Sequence, residues 1–241
     1  MTPRAVEARR ASHTGGATGG VSDHVTGPRI RPATAHIQLP LTGAHTQGDL
    51  RVTGEFVGYS DRSPVRKSFT RANLYAGGAL LGHAMAANVL FDLPEDNPRA
   101  PFPWMPPDFR LDESRLLALE EPDRNALAVC ERAEQAATPE LPFIEHFWCG
   151  PPQLTGEGTA TLRAPVTPHL GNRIGHIQGG LLLGVAMKVA IAAASPRMRL
   201  SSISAYFVSP GLAPHIDVQS EVVQSGRSLA VVQTRITGAN G

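Results

Sequence analysis

Hydrophobic and polar positions change their period along the second half of the chain. Residues 153–164 alternate between polar and apolar, which is typical of a half-buried strand. Residues 179–194 are small or aliphatic on almost every face, which predicts a buried helix that ends at Ser195 and Pro196. Alternation returns over residues 200–208, where a second strand is expected.

Two further strands are predicted near the C-terminus of the sequence. They cover residues 216–223 and 228–237, and residues 224–227 supply the turn between them. The order is strand, long buried helix and then consecutive antiparallel strands. This order predicts an α+β domain in which one antiparallel sheet wraps around one central helix.

A sequence repeat connects the two halves of the chain. Nine residues that begin at Gly77 return 102 positions later at Gly179, and seven of the nine are identical. The same offset aligns residues 53–55 with 155–157 and residues 127–129 with 229–231. A repeat unit of this length is the size of a small domain with its own core, so the repeat predicts two related domains.

The first copy is predicted to follow the same plan with weaker signals. We expect a first strand at 51–60, a helix at 77–91, later strands at 115–121 and 125–134, and a final strand at 141–149. The proline-rich link at 93–112 predicts a short or distorted second strand. The second copy ends after its equivalent of the 125–134 strand, so its last strand is expected to be missing. Either the chain is a truncated product or something else covers that edge.

These patterns divide the chain into three parts. Residues 1–35 are rich in Gly, Thr, Arg and Pro and predict a disordered tail. Residues 36–138 form the first, degenerate domain and residues 139–241 the second. The tail lacks the apolar core of a secretory signal.

Composition narrows the functional classes. The chain has 241 residues, is 41% hydrophobic and carries a net charge of +1, so no basic field favours nucleic acid. The two cysteines, Cys130 and Cys149, have no metal-binding spacing, which predicts a reduced, cytoplasmic setting and no metal. No apolar run of about 18 residues predicts a membrane span.

The second copy resembles a known family. Residues 172–180 read NRIGHIQGG before the buried helix, residues 206–210 read YFVSP, and residues 225–231 read SGRSLAV. These motifs are similar to the hotdog-fold acyl-CoA thioesterases, in particular their phenylacetate-type branch. The resemblance implies two tandem hotdog domains, with the first copy similar mainly through its likeness to the second.

The chemistry implied by the resemblance needs a polarised thioester carbonyl. Backbone N–H groups at a helix start can polarise it, and paired glycines admit the acyl group. Gly179 and Gly180 suit this role, with Gly77 and Gly78 as their counterparts, although close helix packing would also explain them.

The family's asparagine, histidine and carboxylate positions fall on Asn172, Gln178 and Met187. Methionine cannot act as a base or a nucleophile. The first copy also has methionine, Met85, so core packing is the expected role of both.

Other groups are candidates to replace the missing carboxylate. Gln178 can bind a carbonyl or orient a water. His83, expected on the first helix, would be a base if it faced the cleft, and His176 lies two residues before Gln178. A buried, satisfied role for His83 and a solvent-facing one for His176 remain alternatives.

The phosphates of coenzyme A require cationic partners. Arg173, its first-copy match Arg71, and Arg227 are candidates, although isolated surface arginines are common. The strand carboxylates Glu55 and Glu157 are expected to be solvated rather than catalytic.

The expected function is hydrolysis of an acyl-CoA thioester to a free acid and CoA, at one site that combines Asn172, Gln178, Gly179 and Gly180 with His83. No cofactor is expected apart from the CoA of the substrate. A non-catalytic acyl-thioester binding or assembly protein is the alternative, and a hotdog hydratase or dehydratase is a weaker third. A homo-oligomer is compatible with this interpretation but not required by it.

Overall fold

The protein is represented by a computed structural model. The residues that it describes are 6–9, 29–44, 48–60, 65–94, 121–148, 150–171, 176–209 and 214–238.

The chain divides into two compact units. One unit comprises Met1–Pro103 and Arg199–Ser209, and the other comprises Trp104–Met198 and Pro210–Gly241. A single strand from the C-terminal half therefore belongs to the first unit. The predicted boundaries at residues 35 and 138 stay predictions, and strand Val6–Arg9 lies within the segment for which a tail is expected.

The first unit contains a six-stranded antiparallel sheet. Its strands are β1 (Val6–Arg9), β2 (Ile30–Pro40), β3 (Leu50–Ser60), β4 (Lys67–Ala76), β5 (Ala79–Asp92) and β8 (Ser202–Tyr206). Their order across the sheet is β1, β3, β4, β5, β2, β8. The β2–β8 pair places Ile37 opposite Ala205.

Side chains on β4 and β5 alternate between buried and exposed, as one-sided burial of a sheet requires. Ala72 and Ala84 lie opposite each other, are almost fully buried and belong to one apolar cluster. Leu39, Val52 and Leu74 complete the buried part of that cluster.

The predicted helix at 77–91 is wrong. Gly77 and Gly78 form the turn between β4 and β5, with φ of 52° and 85°, and the following residues continue as strand β5. Two glycines at positive φ are typical of a two-residue hairpin turn. The Gly-Gly pair between two alternating runs was the sequence signal for this hairpin.

The second unit contains a four-stranded antiparallel sheet in the order β10, β9, β7, β6. Its strands are β6 (Gln153–Gly156), β7 (Thr159–Pro165), β9 (His215–Ser225) and β10 (Ala230–Gly238). Its helices are α1 (Glu121–Ala136), α2 (Phe143–Phe147), a 3-10 turn (Pro168–Leu170) and α3 (Gly179–Ala193).

Helix α3 packs against β7, β9 and β10. Its buried Val185 and Val189 join Leu162, Ile216 and Val218 of the sheet in one core. The expectation of a sheet around a buried helix is therefore confirmed for this unit. The strands predicted at 200–208, 216–223 and 228–237 are also observed, whereas the strand predicted at 153–164 is a hairpin of β6 and β7.

Two predicted strands of the first copy are helices. Residues 125–134 lie inside α1, and residues 143–147, which are most of the last strand predicted at 141–149, form α2. Pro122 with Glu121 and Asp123 in the first turn was a signal for a helix start. Residues 115–121, apart from Glu121, and all but the first two residues of the 93–112 link lie outside the described residues.

The 102-residue repeat is consequently not a structural repeat. Its best-matching nine residues begin a strand after a turn in one copy and a helix in the other. The prediction that Gly77 and Gly78 start a helix is wrong for the same reason.

Candidate active site

The start of helix α3 is built on a short, anchored loop. Gln178 is the N-cap residue, and its backbone N–H donates to the Leu170 carbonyl at 2.8 Å. An antiparallel bridge joins Gly171 and Ile177, so the loop closes on itself just before the helix. Asn172 and Arg173, two of the predicted site residues, lie in this loop but outside the described residues.

The Gln178 side chain caps the helix. Its Oε1 atom accepts a hydrogen bond from the Leu181 N–H at 2.9 Å, and its backbone carbonyl accepts from the Leu182 N–H at 3.0 Å. The bond from Leu182 is the first regular bond of the helix. The bond from Leu181, together with the bond from the Gln178 N–H to Leu170, satisfies two of the four N–H groups that a helix start leaves free. The amide nitrogen of the Gln178 side chain is not used by this cap.

The two remaining N–H groups are those of Gly179 and Gly180. Within the described part of the chain, neither donates to a backbone or side-chain acceptor. The first turn of α3 carries no acidic residue. The partial positive charge of the helix start is therefore not neutralised by the helix itself.

Gly180 lies directly beneath the Gln178 amide. A Cβ atom at Gly180 would lie 3.0 Å from Gln178 Oε1 and 3.6 Å from its Nε2 atom. A side chain here would crowd the cap. The sequence predicts Gln178 and the glycine pair as neighbours at a helix start, whereas the cap that Gln178 forms is seen only in the structure.

His169, just before this loop, forms two side-chain hydrogen bonds. His169 Nε2–H donates to the Phe147 carbonyl at 3.1 Å, and the Thr167 hydroxyl donates to Nδ1 at 2.7 Å. Burial lowers the pKa of His169, partly opposed by the bond to Phe147, and nearby Arg132 lowers it further. His169 belongs to the 3-10 turn whose Leu170 carbonyl holds Gln178.

We expect this histidine to make stability pH-dependent. Its pKa is below the ordinary 6.5 in the folded state, so the unfolded chain binds more protons as the pH falls through 6.5. The free energy of unfolding should be constant above this range and decrease below it. Urea titrations at several pH values should show a smaller decrease for His169→Gln than for the wild type. Equal slopes for both proteins would contradict the assignment.

His83 is not on a helix. It lies on β5, and its Nδ1 atom is 2.5 Å from Asn73 Oδ1 on β4. The predicted helical position is therefore wrong, and its catalytic role stays a prediction. Met85 lies two residues further on the same strand and is 51% exposed, so the expectation that it packs in a core between helices is wrong as well.

The predicted phosphate-binding arginines lie at separate places. Arg71 is on β4, where its guanidinium forms an ion pair with Glu55 at 2.7 Å. Arg227 is exposed in the turn between β9 and β10. His176 lies in the loop before α3 and is half-buried. A role for these residues in binding CoA stays a prediction.

Two polar grooves, each of about 400 Å³, lie on the sheet of the second unit and not at the start of α3. Thr161 and Gln219 line both. Arg163 and Asp217 border one of them, and the hydrogen bond from Arg163 lowers the pKa of Asp217. We assign no chemistry to these open grooves. Among the described residues, no cluster of His, Cys, Asp and Glu could hold a metal ion.

Part of the second unit matches a family model. Residues 168–240 match the model described as the acyl-CoA thioesterase N-terminal domain. The matched segment contains the N-cap, the glycine pair, α3 and all the strands that follow. Over this segment the chain is similar to acyl-CoA thioesterases. No curated protein matches the chain in sequence.

Solved structures extend the similarity to the whole fold. The chain is similar to a tesB protein of Mycobacterium avium subs paratuberculosis, with a TM-score of 0.52, 13% identity and coverage of 95% of this chain and 79% of that one. A hot dog fold protein of unknown function from Alicyclobacillus acidocaldarius gives a TM-score of 0.52 at 8% identity, with coverage of 99% and 88%.

A third similar structure is the peroxisomal multifunctional enzyme type 2 from Drosophila melanogaster, with a TM-score of 0.47 and 10% identity. It matches 86% of this chain, which spans only 34% of the length of that enzyme. The predicted α+β double-hotdog class, with two antiparallel sheets, is confirmed by the fold similarity. Within the described residues, no helix is long and apolar enough to cross a membrane.

Proposed function

We propose that this chain hydrolyses an acyl-CoA thioester to the free acid and CoA. The observation that carries the proposal is the start of α3, where the N–H groups of Gly179 and Gly180, beside the Gln178 amide, have no acceptor among the described residues. The match of residues 168–240 to an acyl-CoA thioesterase model supports the same substrate class. The phenylacetate-type branch is part of the proposal and rests only on the motifs at 172–180, 206–210 and 225–231.

The reaction adds water to the thioester carbonyl. Negative charge develops on the carbonyl oxygen, and donors that are already oriented towards it stabilise that charge. Collapse of the tetrahedral intermediate breaks the C–S bond, and the CoA thiolate takes up a proton. In this proposal the two glycine N–H groups and Gln178 Nε2 bind the oxygen, while Asn172 contributes positioning.

Non-catalytic binding of an acyl thioester is the second candidate. One observation favours it: α3 carries Met187 at the position of the family carboxylate and has no acidic residue along its length. Lys188 is its one charged residue, and this side chain is committed to an ion pair with Glu145. A protein of this kind would bind acyl-CoA and release no thiol.

Gln178→Glu should separate helix capping by the side-chain oxygen from oxyanion binding by the side-chain amide nitrogen. Glutamate keeps an oxygen for the Leu181 N–H, but it replaces the amide donor by a carboxylate oxygen that repels an oxyanion. We expect about 100- to 1,000-fold lower kcat for free-thiol release from aromatic, short and long acyl-CoA esters. The melting temperature should not fall, since a carboxylate is favourable at a helix start.

Gln178→Ala is the matched control. It removes the cap as well as the donor and should cost about 1 kcal/mol of stability along with activity. Wild-type activity retained by Gln178→Glu would contradict the role of the amide. Binding of the esters without any thiol release by the wild type would favour the non-catalytic candidate.

A further inference from the structure

The six-stranded sheet of the first unit has one buried side and one exposed side. On β4 the residues with even numbers are buried, whereas Phe69 lies on the other side and is 37% exposed. We call this exposed side of β2, β3, β4, β5 and β8 the outer face. Three of its rings are exposed and two are half-buried: Phe69, Phe91 and Tyr206, then Tyr75 and His36. Aromatic rings on an open sheet are platforms on which unpaired bases can stack.

Strand pairing brings three of these rings into one row across the sheet. Ala87 of β5 lies between Phe69 and His36 and is opposite both. Tyr206 lies opposite His36, and the two rings are stacked with their centroids 4.5 Å apart. The row from Phe69 to Tyr206 crosses three strand spacings, which is about 14 Å. The small side chain of Ala87 leaves the middle of the row open to a flat ligand.

Positive side chains accompany the other two rings of the outer face. The Arg31 guanidinium lies over the Phe91 ring at 5.5 Å from its centroid. The Arg51 guanidinium lies over the Tyr75 ring at 4.5 Å. Cation–π contacts of this kind hold a guanidinium beside a ring, where it can meet the phosphate of a nucleotide whose base stacks nearby.

The charge of the outer face is positive. Lys67 and Arg71 lie two residues on either side of Phe69 on β4, and both are exposed. On β2, β3, β4, β5 and β8, the one carboxylate on this side is Glu55, which is paired with Arg71. All four cations of these strands therefore lie on the outer face. The net charge of +1 describes the whole chain and does not show where its charges lie.

These features fit a single-stranded nucleic acid better than a lipid surface or a duplex. The exposed apolar side chains do not form one continuous patch, because Asn73, Gln38 and Ser204 on the same side are polar. A lipid surface requires continuous apolar area, whereas a nucleic acid requires separate rings for bases and cations for phosphates. The bases of a duplex are already stacked on each other and are not available to protein rings.

We propose that the outer face binds a single-stranded nucleic acid, with bases stacked on Phe69 and Tyr206 and phosphates held beside Arg31 and Lys67. Stacking is tolerant of base identity, so binding has little sequence preference. This inference is independent of the proposed hydrolysis, because no residue at the start of α3 belongs to this sheet.

Fluorescence anisotropy of the full chain with a labelled RNA of about 15 nucleotides, and with DNA of the same sequence, tests the proposal. The dissociation constant of the wild type should be about 10 μM at low salt, and the annealed duplex should bind much more weakly. Tyr206→Ala and Phe69→Leu should each weaken binding about tenfold, because each removes a ring on which one base stacks. Arg31→Gln should reduce the salt dependence of log affinity by about 0.7, the value of one phosphate contact to a single strand.

Two variants of the second unit are the matched controls. Phe143→Leu removes a phenylalanine that is also 37% exposed, and Arg197→Gln removes an exposed arginine that follows α3. Both should leave the affinity for RNA unchanged within about twofold. A wild type that binds neither strand at about 100 μM protein would overturn the proposal. So would control variants that weaken binding as much as Tyr206→Ala and Phe69→Leu do, or displacement of the RNA by an equal concentration of CoA or of anionic lipid vesicles.

Discussion

Glu145→Leu is expected to lower the free energy of unfolding by about 3 kcal/mol. Its carboxylate lies 2.5 Å from Lys188 Nζ, whose side chain is only 6% exposed on helix α3. The ammonium group also donates to the Gly150 carbonyl at 2.6 Å. Removal of Glu145 leaves a buried positive charge with one neutral partner, and this is much more costly than the loss of a surface ion pair.

Urea denaturation of the single and double variants would measure this effect. Glu145→Leu with Lys188→Met should recover most of the lost stability, because no buried charge remains. Lys188→Met alone should cost less than Glu145→Leu, since the Glu145 side chain is 26% exposed and can be solvated. A Glu145→Leu variant within about 0.5 kcal/mol of the wild type would contradict a buried, paired Lys188.

Gly184→Ala should also cost about 3 kcal/mol, at the upper end for an overpacked core. A Cβ atom at Gly184 would overlap Trp148 Cζ2 and would lie 2.5 Å from Cη2. The indole ring is rigid and packs against the core around α3, so it can give way only by leaving its position. Alanine has the higher helix propensity, by about 1 kcal/mol, but this gain is smaller than the strain.

A Trp148→Leu background provides the control for this variant. The leucine side chain leaves room for the added methyl group, so Gly184→Ala should be neutral or stabilising in that background. The two substitutions are then strongly non-additive in thermal or urea unfolding. Equal losses in both backgrounds would show that Trp148 is not the obstacle.

Local sequence patterns were sufficient to predict α3 and the strands that follow it. The apolar run at 179–194 matches α3 within one residue, and the three strands after it occur as expected. Helix and strand periods are expressed over neighbouring residues, so they can be recognised without the rest of the fold. The glycine pair at the start of α3 was predicted for the same reason.

Similarity between the two copies was misleading where strand pairing decided the structure. The residues from Gly77 resemble those from Gly179, yet Ala79–Asp92 is a strand that pairs with both β4 and β2. Small residues such as Ala84 and Ala86 tolerate either conformation. The alternating neighbours across the Gly77–Gly78 turn supply the hydrogen bonds that favour the strand.

The features of the candidate site also divide into those that the sequence predicts and those that only the tertiary structure shows. The sequence by itself determined a helix that begins at Gly179 after a residue with a polar amide, because these signals are local. Only the tertiary structure decided that the Leu170 carbonyl holds Gln178 and that Glu145 partners the buried Lys188. Contacts between separate segments depend on how the whole chain packs, and no short stretch of sequence encodes them.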